Sequence, residues 1–155
     1  MLFTFAIATA VAATPAPEVK QPAGGIYVNA RYGTRASFPG GMFGNRRESD
    51  NGDGATFTAR DGATLLIYGA YNLEGQDPRA YLAGRVREER GAVSYRHAGR
   101  DFAVMSGTSG GRIFYQRFEF DDRRDIVHSY RLEYPRALQR RYGPVVRRIS
   151  IRHDR

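Results

Sequence analysis

No cysteine and no tryptophan occur among the 155 residues, and Lys20 is the only lysine. Without cysteine no disulfide can form, and cysteine use leaves the redox compartment open. Histidine is nearly as scarce. His97, His128 and His153 stand apart with no H-x-H or H-x-x-x-H pair, so the spacing argues against a transition-metal site. No repeat of 20 to 50 residues and no heptad pattern is present, and no motif calls for a cofactor. The one long apolar run, residues 1–13, falls short of the roughly 20 residues a membrane-spanning helix needs.

What remains is an ordinary globular composition, 41% hydrophobic and 26% charged, in a chain long enough for one self-sufficient core. The formal net charge is +8. It is carried almost wholly by arginine, whose planar fork suits carboxylate and phosphate better than a lysine ammonium does. Such a ratio also arises in GC-rich genomes, so the charge permits a polyanionic partner without demonstrating one.

The run MLFTFAIATAVAA is uncharged, ends in small-x-small patterns at Ala10-Val11-Ala12 and Val11-Ala12-Ala13, and is broken by Pro15 and Pro17. It reads as a secretory signal peptide over 1–13, which places the mature protein in the periplasm or outside the cell. Its n-region lacks a basic side chain, which a start codon assigned slightly late would explain. A buried N-terminal helix is the competing reading. Residues 14–26, rich in proline, alanine and glycine, read as a flexible linker, and 27–155 as a single domain.

Within that domain, 32–38 reads as a strand ended by Pro39, and 40–54 as a loop. Residues 55–59 and 63–70 read as a hairpin around Arg60-Asp61-Gly62. Asp77-Pro78 combines a favoured N-cap with a favoured first helical residue, predicting a helix to about Arg90 with Gly91 as its stop. Strands are expected at 93–97, 102–106, 112–120 and 126–134. The last two alternate clearly, and His128 falls on the apolar face as a satisfied core or edge residue. A helical segment broken at Gly143-Pro144 should follow, with Leu138, Tyr142, Val145, Val146 and Ile149 inward. Strands and helices are segregated, which predicts an α+β fold with an antiparallel β-sheet packed by helices.

Tyr27-Val28-Asn29-Ala30-Arg31-Tyr32-Gly33, continuing through Thr34-Arg35-Ala36-Ser37-Phe38 to Pro39, resembles the opening signature of PsbP-like domains. It differs at Thr34, where that family usually has Phe. The order of hairpin, helix, antiparallel meander and C-terminal helix is also similar. The resemblance implies a PsbP-like α/β/α sandwich in an exported or lumenal protein that supports protein interaction or assembly. It supplies no catalytic residues.

Three stretches carry candidate chemistry. Gly107-Thr108-Ser109-Gly110-Gly111 spells the G-x-S-x-G nucleophile elbow, but that motif belongs between a strand and a helix. Here strands are expected on both sides, so Ser109 reads as a turn residue and the catalytic set as empty. Glu48 to Gly54 is acidic and glycine-rich, yet its spacing fails the calcium-loop pattern from either Asp50 or Asp53. Arg136, Arg140, Arg141, Arg147 and Arg148 cluster on the C-terminal segment, opposite its apolar side. They read as a solvated face, or as a docking surface for an acidic partner.

The favoured function is therefore an exported, non-enzymatic binding or assembly-support domain for an unidentified protein partner or acidic surface. A basic binder of polyanions or anionic membrane is the alternative, and an extracytoplasmic serine hydrolase the least favoured. Nucleic acid is disfavoured by the export signal and the lack of an aromatic-basic pattern.

Overall fold

Turn chemistry organises the main sheet. Asp61-Gly62, with Gly62 at φ +84°, closes the hairpin between β4 (Gly54–Thr58) and β5 (Thr64–Tyr71). Gly110 and Gly111, at φ +54° and +76°, close that between β7 (Phe102–Ser109) and β8 (Arg112–Phe120). With β3 (Asn45–Glu48), β6 (Ala92–Ala98) and β9 (Ile126–Pro135), these strands form a seven-stranded antiparallel sheet in the order β3-β4-β5-β9-β8-β7-β6. A three-stranded sheet is built from β1 (Gly25–Asn29), β2 (Thr34–Phe38) and β10 (Ser150–His153), with β2 central. The computed structural model describes residues 24–153, so the proposed signal segment and all but the last three residues of the proposed linker lie outside the described residues.

Side chains alternate across the seven-stranded sheet, and its two faces are covered differently. One face carries Phe57, Leu65, Ile67, Tyr130, Leu132 and Tyr134, packed against Tyr27, Ala36 and Phe38 of the small sheet and against Tyr142 and Val145. The other carries Ala103, Met105, Phe114, Phe118 and Phe120 under Leu82 of α1 (Pro78–Glu88). Fully burying side chains of this kind stabilises by about 1.5–3 kcal/mol each. The antiparallel α+β architecture is as expected from the segregated pattern.

Asp77 caps α1 as its residue type predicts, its carboxylate accepting from the Ala80 N–H at 2.8 Å. The other end differs. Gly91 is not a left-handed cap: the helix ends at Glu88, and the Glu89 carboxylate turns the chain by accepting from the Gly91 N–H. Glycine is needed at 91 because an added Cβ would lie 2.6 Å from the Thr108 carbonyl oxygen.

Three strands lie where none was expected. β3 (NRRE) is exposed along its whole length and shows no alternation; pairing with the β4 backbone makes it a strand. β1 starts at Gly25 and points Ile26 and Val28 outward, at 63% and 44% exposure, against the usual pattern. β10 replaces the end of the expected C-terminal helix. That segment is a 3-10 turn at Arg136–Leu138, one α-turn α2 (Gln139–Tyr142), and a second 3-10 stretch at Gly143–Arg148. Pro144 lacks an N–H and crowds the preceding turn, which keeps the segment from becoming one helix. Of its five apolar residues, Tyr142, Val145 and Ile149 are nonetheless buried, while Leu138 and Val146 are half-buried.

Candidate functional site

Ser109 is the last residue of β7, facing Arg112 across a two-residue turn with both glycines at positive φ, the primed geometry preferred in tight hairpins. Gly107 is required for a separate reason, since a Cβ there would sit 1.9 Å from the Ala92 carbonyl oxygen. His97 faces Val104 and His128 faces Glu119, five and seven residues along their strands from the Ser109 turn. At ~3.4 Å per residue these separations are about 17 and 24 Å, far beyond proton-transfer reach. His128 is instead a buried core residue, its Nδ1 2.8 Å from the Thr34 hydroxyl. Incubation with a fluorophosphonate probe is expected to leave Ser109 unlabelled by mass spectrometry; stoichiometric labelling would restore the hydrolase reading.

The acidic loop is a latch between sheets. Asn29 Nδ2 donates to the Gly52 carbonyl at 2.9 Å and the Arg31 guanidinium to the Asn51 carbonyl at 2.7 Å, while Asn51 and Asp53 bond each other. Among the described residues no three acidic or histidine side chains are placed to hold a metal.

The arginines acquire meaning from the sheet's polarity. The turns at 59–63 and 110–111, the 89–91 connection and the segment after β9 all lie at one end. Arg136 N–H donates to the Gly111 carbonyl, and Arg112 reaches the Gly62 carbonyl at 2.9 Å. Among the described residues these connections carry Arg60, Arg90, Arg136, Arg140 and Arg141 against Asp61 and Glu89, and both acids are engaged. Glu89 pairs with Arg131, and Asp61 with Arg141 at 3.1 Å. Arg60, Arg90, Arg136 and Arg140 are exposed, and among the described residues none of them has an ion-pair partner. Between Arg60, Asp61 and Arg141 opens a cleft of ≈520 Å³, whose other wall is Gly41, Met42 and Gly44. The opposite end reverses the sign. Residues 30–33, 49–53, 72–77, 99–101 and 121–125 hold eight acidic side chains against four arginines.

Of the five arginines singled out in the sequence, Arg136, Arg140 and Arg141 thus belong to this basic end, while Arg147 and Arg148 sit farther along on the stretch leading to β10. All five are exposed. Arg60 and Arg90 complete the patch. They are distant in sequence, and only the turn signals beside them, Asp61-Gly62 and Gly91, hinted that they share an end.

Asp61 anchors the C-terminal segment to the sheet. The buried Tyr142 hydroxyl donates to Oδ1 at 2.7 Å, and this bond, reinforced by the Ala63 N–H and by Arg141, holds the carboxyl below its usual range despite partial burial. Burial, then the hydrogen bond to Asp61 and its charge, push the Tyr142 hydroxyl up to about 12. A depressed carboxylate contributes stability above its ordinary value of 3.8, which is lost as pH falls through the folded value. Tyr142→Phe is expected to lower stability by about 1.5–3 kcal/mol at neutral pH and to flatten the acid limb of a urea-melt pH series.

No protein-family profile matches the chain, and no curated protein matches it in sequence. In fold it is similar to the solution structure of cyanobacterial PsbP (CyanoP) from Synechocystis sp. PCC 6803, with a TM-score of 0.57 over 90% of this chain and 98% of that one, at 9% identity. Two antiparallel sheets, the helix over one face and this likeness together make the architecture a PsbP-like α+β fold.

Proposed function

We propose that the chain is an exported, non-enzymatic accessory domain that docks on an acidic partner protein through its arginine end. The observation that carries this reading is the uncompensated set Arg60, Arg90, Arg136 and Arg140, gathered from three separate segments onto one end of the sandwich. The likeness to cyanobacterial PsbP and the apolar segment 1–13 support the accessory and exported parts. Among the described residues no helix is long and apolar enough to cross a membrane. Arginine's fork also fits phosphate, which favours a polyanion or anionic membrane as the second reading.

Binding of a polyglutamate peptide, of heparin and of phosphatidylglycerol vesicles, each measured over a salt series, separates these. The first reading expects the peptide to bind and the vesicles not to. Arg136→Gln with Arg140→Gln should weaken binding and reduce the salt slope by about 2. Vesicle binding that exceeds peptide binding would select the second reading. Indifference of every probe to both substitutions would remove the basic end from consideration. Fractionation of expressing cells tests export, and a cytoplasmic location would refute it.

A further inference from the structure

The two end strands of the large sheet are unlike. β3 has four residues, three of them charged, a common way of protecting an edge from unwanted pairing. β6 has seven residues, AVSYRHA, pairs among the described residues with β7 alone, and carries one charge, Arg96. Its irregularity is confined to the Val93–Tyr95 step; Tyr95, Arg96, His97 and Ala98 run in unbroken register with Ser106, Met105, Val104 and Ala103. The outward backbone groups of this stretch form a template for one more strand.

Beside that edge lies a cleft of ≈360 Å³ between β6 and α1. Its apolar lining is Leu82, Ala83 and Ala98, and its charged lining is Arg79 and Arg96, with His97 alongside. Among the described residues no acidic residue lines it. Neighbouring carboxylates are engaged elsewhere: Glu88 with Arg85, Glu89 with Arg131, Asp101 with Arg100 and Arg124, and Asp77 in capping the helix. Among the described residues neither Arg79 nor Arg96 has an ion-pair partner, and both are exposed. Arg79 also lies in the first turn of α1, where the helix dipole adds positive potential. On the sheet's other face Tyr95 is 54% exposed.

We infer that β6 is a strand-addition site for an extended acidic segment of a partner protein. The added segment pairs with Tyr95–Ala98, and every second side chain points toward α1. Carboxylates at those positions meet Arg79 and Arg96, and the apolar cleft floor takes their aliphatic stems. Charge selects this occupant over a second copy of the chain, because a two-fold β6–β6 pairing would bring the two Arg96 guanidinium groups near each other, and like charges across a strand pair repel. The site is separate from the arginine end and does not depend on it.

The test uses the purified chain and a blocked octapeptide alternating Glu and Val. Its controls are the same peptide N-methylated at every residue, which leaves no backbone N–H to donate to a sheet edge, and a Lys-Val counterpart. Binding of the Glu-Val peptide is expected. It should weaken at least roughly tenfold on N-methylation and again with Arg79→Glu plus Arg96→Glu, yet persist in Arg136→Gln/Arg140→Gln. Amide exchange should slow at 95–98. Absence of binding at millimolar peptide, equal affinity for the N-methylated peptide, or loss only in the Arg136/Arg140 variant would each overturn the assignment. So would a β6-mediated dimer that the peptide does not dissociate.

Discussion

Arg131→Ala is expected to destabilise the domain by about 3–5 kcal/mol, the cost of leaving a buried carboxylate without its partner. Arg131 lies at the middle of a network that joins α1 to the sheet. Its Nη1 donates to Glu89 at 2.5 Å and to Gln116 at 3.1 Å, its Nε donates to Glu133 at 2.6 Å, and its guanidinium covers the Phe114 ring at 4.3 Å. The Arg131 and Glu89 side chains are only 17% and 11% exposed, so solvent screens the pair little. Burial alone would raise the Glu89 carboxyl. The Arg131 bond, aided by the Gly91 N–H, outweighs it and holds the group below its ordinary 4.5. The pair's stabilisation is therefore present above pH 4.5 and is lost as pH falls through the depressed folded value. In the alanine variant burial acts with much less opposition, so acid neutralises a misplaced charge. The deficit measured by denaturant melts should be largest at neutral pH and shrink toward pH 4.5. A deficit that grew on acidification would show that Glu89 does not depend on Arg131.

Gly69→Ala is expected to cost about 3 kcal/mol, the upper range for forcing an extra carbon into a packed core. Gly69 lies inside β5, opposite His128, where Tyr32 and Thr34 of the β1–β2 hairpin pack against the large sheet. An added Cβ would stand 2.5 Å from Tyr32 Cβ and 2.6 Å from Thr34 Oγ1. Neither is the far end of a flexible side chain, so the β1–β2 hairpin must lift. Lifting breaks the Thr34–His128 bond and opens the edge-on Tyr32–Tyr71 contact, whose centroids are 5.1 Å apart. Thermal melts should show the loss, and hydrogen exchange should place the faster amides in β1, β2 and β10. Stability unchanged from the parent would mean the two sheets are not in this close contact.

Both residues show where local reading stops. Glycine within a strand signals a close approach of backbone, so the need for a neighbour at 69 was present in the sequence, but not the identity of that neighbour. Arg131 alternates outward from Tyr130 and Leu132 and reads as an exposed strand residue; its burial comes from the end of α1, where Glu89, just beyond the helix, lies 42 positions away. The hairpins, the Asp77-Pro78 helix start and the apolar faces of β8 and β9 were legible, because turn geometry and side-chain period are local properties. β3 and β10 were not, since exposed NRRE and a short terminal strand become strands only by pairing with distant backbone.

The candidate site divides along the same line. Arg136, Arg140 and Arg141 were found by clustering, and the hairpin at Gly110-Gly111 was legible because paired glycines at positive φ are hairpin chemistry, although Ser109 proves to be the last residue of β7 rather than part of the turn. The sequence by itself determined the composition-level facts: a single cysteine-free chain of 155 residues, strongly basic through arginine, with antiparallel strands and one well-capped helix. Tertiary structure alone decided that Arg60 and Arg90 join the basic end and that the acids gather at the other. It also decided that, among the described residues, the cleft beside β6 holds two arginines without a carboxylate. The reason is physical: strand direction and pairing order set which turns share an end of a sheet, and those depend on contacts between residues far apart in the chain.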